Sequence, residues 1–227
     1  MALVARRGPE LELLAAAIRE RGGDAMAVVA DATDPEAIAA AVRSVVTRWG
    51  RLEVAVANVG VYRRGLAIEC SRADLEDSLR DNFWSAFHLS ESVLPHLRAS
   101  RGQLVFVNSF DAKKCMPCDA AYSAAKAALA SFGASLRQAV GPAGVNVCSV
   151  FPGRVDTEML AGLEVPRISR KIPAARVARA VCRAIRRRRS EVVVPWSILP
   201  LWWIDVLSPR LADWLVRALA LDGRLRA

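Results

Sequence analysis

Long apolar runs are missing from this chain of 227 residues. No stretch reaches the ~20 apolar residues that a bilayer-spanning helix needs. Arg6, Arg7 and Glu10 interrupt the opening segment before a secretory leader could form. These absences lead to the expectation of a soluble, cytoplasmic chain, at most peripheral to a membrane. Lysine is also scarce: Lys113, Lys114, Lys126 and Lys171 are the only four, so arginine carries most of the formal net charge of +9. Such a balance attracts anions without specifying a fold. No aromatic residues interleave the basic run Arg186 to Arg189, which argues against nucleic-acid binding. The two histidines, His88 and His96, fall in a helical segment. The cysteines at 70, 115, 118, 148 and 182 are odd in number in a chain too large to depend on disulfide staples, which predicts reduced thiols. Cys115-Met116-Pro117-Cys118 has redox spacing but no second cysteine pair for a metal, and is expected to be a loop with two incidental thiols.

What is present is core. Apolar residues make up 53% of the chain, above the roughly 45–50% usual for globular proteins. Short apolar strands alternate with amphipathic helices. Ala2 to Ala5 reads as a strand and Pro9 to Arg21 as a helix that ends at Gly22-Gly23. Ala25 to Ala30, Glu53 to Ala57, Gln103 to Val107, Val145 to Val150 and Glu191 to Val194 are further strands. Pro35 to Trp49, Arg72 to Ala99, Ala120 to Val140 and Pro173 to Arg189 are the helical segments between them. This alternation predicts an α/β fold with a doubly wound parallel sheet, covered on both faces. There is no fixed-period repeat and no linker. Residues 1–195 are expected to form the sheet domain, and residues 196–227 an apolar tail rich in tryptophan.

Tyr122 and Lys126 stand four residues apart in one predicted helix, so they share a face. A tyrosine titrates near pKa ~10, whereas proton transfer at neutral pH wants a value near 7. The difference is roughly 4 kcal/mol, which an ammonium group and a cationic ring in a partly dry pocket could supply. Ser109 follows the strand Gln103 to Val107, thirteen residues before Tyr122, where sheet ligands gather and a hydroxyl can donate to a substrate oxygen. Asn82 lies inside the long helical segment, where an amide is unfavourable without a partner. Phe151 to Thr157 breaks the chain after a strand and offers a hydroxyl at Thr157.

Asn82, Ser109 and Tyr122-Ser123-Ala124-Ala125-Lys126 together resemble the tetrad of the short-chain dehydrogenase/reductase family, with its Tyr-x-x-x-Lys motif. Asp31-Ala32-Thr33-Asp34 resembles the family's acidic turn at the adenine, and Ala57-Asn58-Val59-Gly60 its Asn-Asn-Ala-Gly motif. Pro152-Gly153 is similar to its Pro-Gly motif. The resemblance covers Ala2 to about Val194. It implies an oxidoreductase that moves a hydride between nicotinamide and a ketone, aldehyde or secondary alcohol. Tyr122 would be the acid/base, Lys126 would tune it and hold the nicotinamide ribose, Ser109 would polarise the carbonyl and Asn82 would hold a water. Asp31, Ala32, Asn58, Gly60, Pro152, Gly153, Val155 and Thr157 would contact the dinucleotide. Arg6 follows the first strand where NAD-binding members usually carry an acid, so the expected cofactor is NADP rather than NAD, with Arg6 on the 2′-phosphate.

The sequence departs from the family pattern at its start. The family opens with a strand, a Gly-x-x-x-Gly-x-Gly turn and a helix, whereas Ala2 to Ala5 corresponds to the family's second strand. The expectation is a Rossmann-like sheet whose first βα unit is missing, with poor dinucleotide binding by the chain as written. A non-catalytic scaffold is therefore the alternative to the enzyme. The expected partners are a small carbonyl or alcohol substrate and a second copy of the chain. The tail is expected to cover the pocket or a subunit interface. Peripheral contact with anionic lipid, through Arg183, Arg186 to Arg189 and the tryptophans, is the alternative.

Overall fold

The structure is a computed structural model and describes residues 1–225. The first half runs β1 (Ala2–Ala5), α1 (Gly8–Glu20), β2 (Met26–Val29), α2 (Pro35–Trp49), β3 (Val54–Ala57), α3 (Arg72–Leu79) and α4 (Ser85–Ser100). It continues with β4 (Gln103–Val107), α5 (Ala120–Val140), β5 (Asn146–Pro152), β6 (Val155–Asp156), β7 (Leu163–Glu164) and β8 (Ile172–Pro173). The last elements are α6 (Ala174–Arg186), β9 (Glu191–Val194), α7 (Leu199–Leu207), α8 (Pro209–Ala218) and β10 (Arg224–Leu225).

Local chemistry sets the helix ends. At the start of α2 the Asp34 carboxylate accepts from the backbone N–H groups of Glu36 at 2.9 Å and Ala37 at 3.2 Å, while Pro35 fills a position that needs no donor. Gly50 ends the same helix at φ 70°, a left-handed conformation that suits glycine. The segment expected as one helix from Arg72 to Ala99 is divided. A π-helical turn, Arg80–Trp84, lies between α3 and α4. Asn82 sits in that turn and donates to the Ser78 carbonyl at 3.1 Å. Such insertions recur at functional sites.

The sheet comes in two pieces. β3, β4, β5 and β9 form a parallel four-stranded sheet in that order, and β1 and β2 form a separate parallel pair. Among the described residues no strand ladder joins β1 to β3. The pieces meet through helices, since α2 packs on α4 and Val42 enters the main core beside Leu52, Val93 and Leu97. β3 is covered on one face only: Ala55 and Ala57 are buried, whereas Val54 is 39% and Val56 40% exposed. That pattern is unusual for a parallel strand, which is normally buried on both faces.

Alternation along β4 builds the two main core layers. Leu104 and Phe106 point into a cluster with Leu97, Leu129 and Val147, and Val105 between them points into a second cluster with Val150, Val177 and Ala184. All three β4 side chains are fully buried. The tail folds into α7 and α8, helices that pack against each other and against Met116 through Leu201, Val216 and Leu221.

Candidate functional site

The carboxyl ends of β3, β4 and β5 open into a cavity of about 780 Å³, within the usual range for ligand sites. Its roof is the tail: Leu201 and Ile204 of α7 and Leu215 of α8 face inward, joined by Leu160, Leu163 and Ile168 from the loop after β5. The end of β4 and the segment leading into α5 contribute a polar end with Ser109, Asp111, Asp119, Tyr122 and Lys126, and the segment after β5 adds Arg154, Thr157 and Ser169.

The sequence-predicted residues divide into two places. Ser109, Tyr122, Lys126, Asn58 and Gly60 line the cavity, as do Pro152, Gly153, Val155 and Thr157. Asn82 is fully buried behind Gly60. It donates to the Val61 carbonyl at 2.9 Å and accepts from the Val61 N–H at 3.1 Å, so it clamps the loop after β3 onto the π turn. Gly60 has no room for a side chain: a Cβ there would lie 2.8 Å from Asn82 Oδ1 and 3.3 Å from Lys126 Nζ. Arg6, Asp31 and Ala32 lie elsewhere, at the ends of β1 and β2. Arg6 is 3.8 Å from Asp31, whose carboxylate accepts from the Thr33 N–H and hydroxyl at 2.9 and 2.8 Å.

Lys126 is buried, donates to the Val107 carbonyl at 3.3 Å and sits 5.8 Å from the centroid of the Tyr122 ring. Burial pulls its pKa down to about 8. The Tyr122 phenol moves the other way from the expectation set by its lysine neighbour. Burial pushes its pKa up, the charges of Asp111 and Asp119 add to that, and hydrogen bonding to Ser109 opposes it. The phenol is therefore held protonated, as a donor.

Several residues that carry the electrostatics are not signalled by the family motifs. Ser109 Oγ lies 3.0 Å from Asp111 Oδ2 and accepts from the Asp111 N–H at 3.2 Å, a cap on the short 3₁₀ turn Phe110–Ala112. Asp111 is half-buried and lines the cavity, and desolvation raises its pKa to about 6, helped by Asp119. Asp119 accepts from the Tyr62 hydroxyl at 2.6 Å, with Arg64 at 4.0 Å. Arg154 donates to Ser169 Oγ at 2.5 Å and to the Leu221 carbonyl, which ties the end of the tail to the loop after β5. An acid two residues after a strand-end serine is the one sequence signal that could have marked Asp111. Lys114 contacts Asp205 and Asp213 across more than ninety residues, a separation at which spacing is uninformative.

Cys115 and Cys118 are not joined in a disulfide, and among the described residues no group of three or more His, Cys, Asp or Glu side chains could hold a metal. No helix among those residues is long and apolar enough to cross a membrane.

The polar end of the cavity fits the nicotinamide half of a dinucleotide. A buried ammonium, a phenol and two backbone-lined motifs converge there, and the Asn108 Nδ2 is buried without a partner at the same strand end. The parallel sheet with its site at the strand ends defines a Rossmann-like, NAD(P)-dependent oxidoreductase. The chain belongs to the short-chain dehydrogenase family, whose model, described as short chain dehydrogenase, matches residues 1–166.

Among curated relatives, 11-beta-hydroxysteroid dehydrogenase-like 2 of Arabidopsis thaliana is 28% identical over 226 residues, covering 95% of this chain and 72% of that protein. The 11-beta-hydroxysteroid dehydrogenase A of Sesamum indicum is 28% identical over 239 residues, covering 97% and 68%. Among solved structures, a dehydrogenase/reductase from Sinorhizobium meliloti 1021 aligns with a TM-score of 0.78 at 26% identity, over 85% of this chain and 82% of that one. A 7 alpha-hydroxysteroid dehydrogenase, complexed with NADH and 7-oxo glycochenodeoxycholic acid, shares the fold with a TM-score of 0.78 at 20% identity, over the same shares.

Proposed function

We propose that this protein reduces the carbonyl group of a bulky, apolar ketone, or oxidises the matching secondary alcohol, with NADP as its cofactor. The observation that carries this reading is the cavity itself, in which Tyr122, Ser109 and Lys126 share one space with aliphatic side chains from α7, α8 and the loop after β5. Part of its 780 Å³ belongs to the nicotinamide, and the remainder suits a fused-ring skeleton better than a short chain. The names of the hydroxysteroid dehydrogenase relatives support the same substrate size.

In the reductive direction Tyr122, protonated in the buried pocket, donates its proton to the carbonyl oxygen as charge develops there. Ser109 supplies a second donor to the same oxygen. Lys126, with Asn58, would hold the nicotinamide ribose, and its charge would offset the carboxylates that keep the phenol protonated. Asn82 and Gly60 keep Lys126 in place by closing the space around its ammonium. The bound nicotinamide supplies the hydride. Arg6 is the proposed partner of the 2′-phosphate, and its exposure leaves the guanidinium accessible despite Asp31 nearby.

A panel of ketones with NADPH tests the proposal. Decalones and steroid ketones should be reduced with higher kcat/KM than cyclohexanone, and dihydroxyacetone least. A preference for the small polar ketone would overturn the substrate assignment.

The outer face of the tail supports a second reading, docking on anionic lipid. α7 is apolar on both sides, inward to the cavity and outward through Trp203, Val206 and Leu207, and Trp196 before it and Trp214 of the amphipathic α8 are exposed as well. Trp196 is 74% and Leu207 83% exposed, and Arg210 and Arg217 on α8 add positive charge. Co-sedimentation with vesicles containing phosphatidylglycerol, weakened by salt and abolished by Trp203→Ser with Leu207→Ser, is expected. A concentration-dependent dimer without vesicle binding would assign the face to a second copy instead.

A further inference from the structure

Asp111 is not one of the family's motif residues, yet it holds the polar group on which the proposed chemistry depends. A serine hydroxyl has one proton to give and two lone pairs. One lone pair of Ser109 is taken by the Asp111 N–H, and its Oγ lies 3.0 Å from Asp111 Oδ2. With the carboxyl ionised, Asp111 is acceptor-only, so the Ser109 proton points at it and away from the substrate. With the carboxyl protonated, Asp111 donates to the remaining lone pair of Ser109, and the Ser109 proton is released toward the cavity, which both residues line.

We propose that Asp111 is a positioning residue that sets the direction of the Ser109 hydroxyl, turning its proton toward a carbonyl substrate when the Asp111 carboxyl is protonated and away when it is ionised.

This inference rests on the reduction proposed above. The surroundings of Asp111 place its titration in the working range. Asp119, ahead of α5, repels its charge, and Arg154, after β5, attracts it. Tyr122 on α5 and Tyr62 after β3 both feel its charge, and Cys115 on its own loop contacts its backbone carbonyl. Burial outweighs the attraction, and the midpoint lies at about 6. The sign is then fixed. Reduction is fastest below that midpoint and falls as pH rises through it. Tyr122 must also be protonated, which adds a separate limb at higher pH.

Two measurements on the full chain test the inference. The first, carboxyl ¹³C NMR of aspartate-labelled protein, needs no turnover. A resonance missing in Asp111→Asn should titrate near 6 and move up by about half a pH unit or more in Ser109→Ala, which loses the donor that favours the carboxylate. A midpoint below about 4.5, or one untouched by Ser109→Ala, would overturn the coupling. The second is the pH profile of cyclohexanone reduction with NADPH. Wild type should lose about tenfold per pH unit above the midpoint. Asp111→Asn, whose amide donates to Ser109 at every pH, should lose that limb and exceed wild type by about tenfold or more at pH 8. An unchanged limb in Asp111→Asn, or inactivity at every pH, refutes the inference. If Tyr122→Phe is as active as wild type, or wild type does not turn over, the functional reading fails instead, and the NMR result still decides the coupling.

Discussion

The Lys114 ammonium lies 2.8 Å from the carboxylate of Asp205, which joins the loop after β4 to helix α7. Asp213 of α8 approaches the same ammonium at 2.9 Å, so one buried cation ties together the roof of the cavity and the segment that carries Ser109. Burial alone would lower the pKa of Lys114, but the two carboxylates outweigh it and hold the group charged. Lys114→Met leaves two carboxylates facing each other without a counter-charge. It should destabilise the fold by about 2 kcal/mol, toward the lower end for buried pairs because Asp213 is half-exposed. Thermal melting checks the magnitude, and hydrogen exchange in residues 199–218 checks the place. Unchanged exchange there would show that the tail is held by apolar packing alone.

Lys126 is expected to cost stability in the absence of cofactor. Its pKa falls from 10.5 to about 8 on folding, so between those values the unfolded chain holds a proton that the folded chain does not. Stability therefore rises with pH across that window, and below pH 8 the full burial cost of the charge, about 3 kcal/mol, is borne by the folded state. Lys126→Met should melt higher than wild type at pH 7, with the gap closing toward pH 10. The gain is smaller than the full cost, because the bond to the Val107 carbonyl is lost. A lower melting temperature at pH 7 would contradict the assignment of a charged, desolvated lysine.

Cofactor choice is expected to turn on Arg6. NADPH should bind more tightly than NADH, and Arg6→Ala should lose about tenfold in NADPH affinity, or roughly 1.4 kcal/mol, with little change for NADH. Tighter binding of NADH by wild type would assign Arg6 to its ion pair with Asp31 alone.

Gly60→Ala should damage the site without touching the substrate. Its Cβ would meet Asn82 Oδ1 at 2.8 Å, closer than van der Waals contact permits, so the clamp on Val61 or the position of Lys126 must give way. A fall in kcat/KM of about tenfold or more, for a barrier change of about 1.4 kcal/mol, is expected with the fold intact by circular dichroism. Full activity would show that this loop moves freely.

Much of this architecture was legible because the signals were local. β4, α5 and β9 lie where periodicity places them, and α2 is bounded by Asp34-Pro35 and Gly50 as capping chemistry predicts. Tyr122, Lys126 and Ser109 were readable because their spacing within one helix and one strand end fixes their proximity. The π turn around Asn82 was not, since its hydrogen bonds run to Ser78 and to Val61, in another segment. The tail read as an apolar extension rather than two helices: α7 is apolar nearly all round, which removes its amphipathic period, while α8 keeps that period but is only ten residues long. Asp111 and Asp119 gain their importance from burial beside Tyr122, which sequence spacing does not report.

In the proposed reaction Tyr122 delivers the proton to the substrate oxygen. Steady-state reduction of a decalone by NADPH, compared between wild type and Tyr122→Phe, with NADPH affinity measured on both proteins by fluorescence titration, tests it most directly. Tyr122→Phe should lose about a thousandfold or more in kcat with NADPH affinity within about twofold of wild type, because the phenol acts on the substrate and not on the cofactor. If Tyr122→Phe keeps a tenth or more of the wild-type rate at equal cofactor affinity, Tyr122 is not the acid and the proton comes from elsewhere.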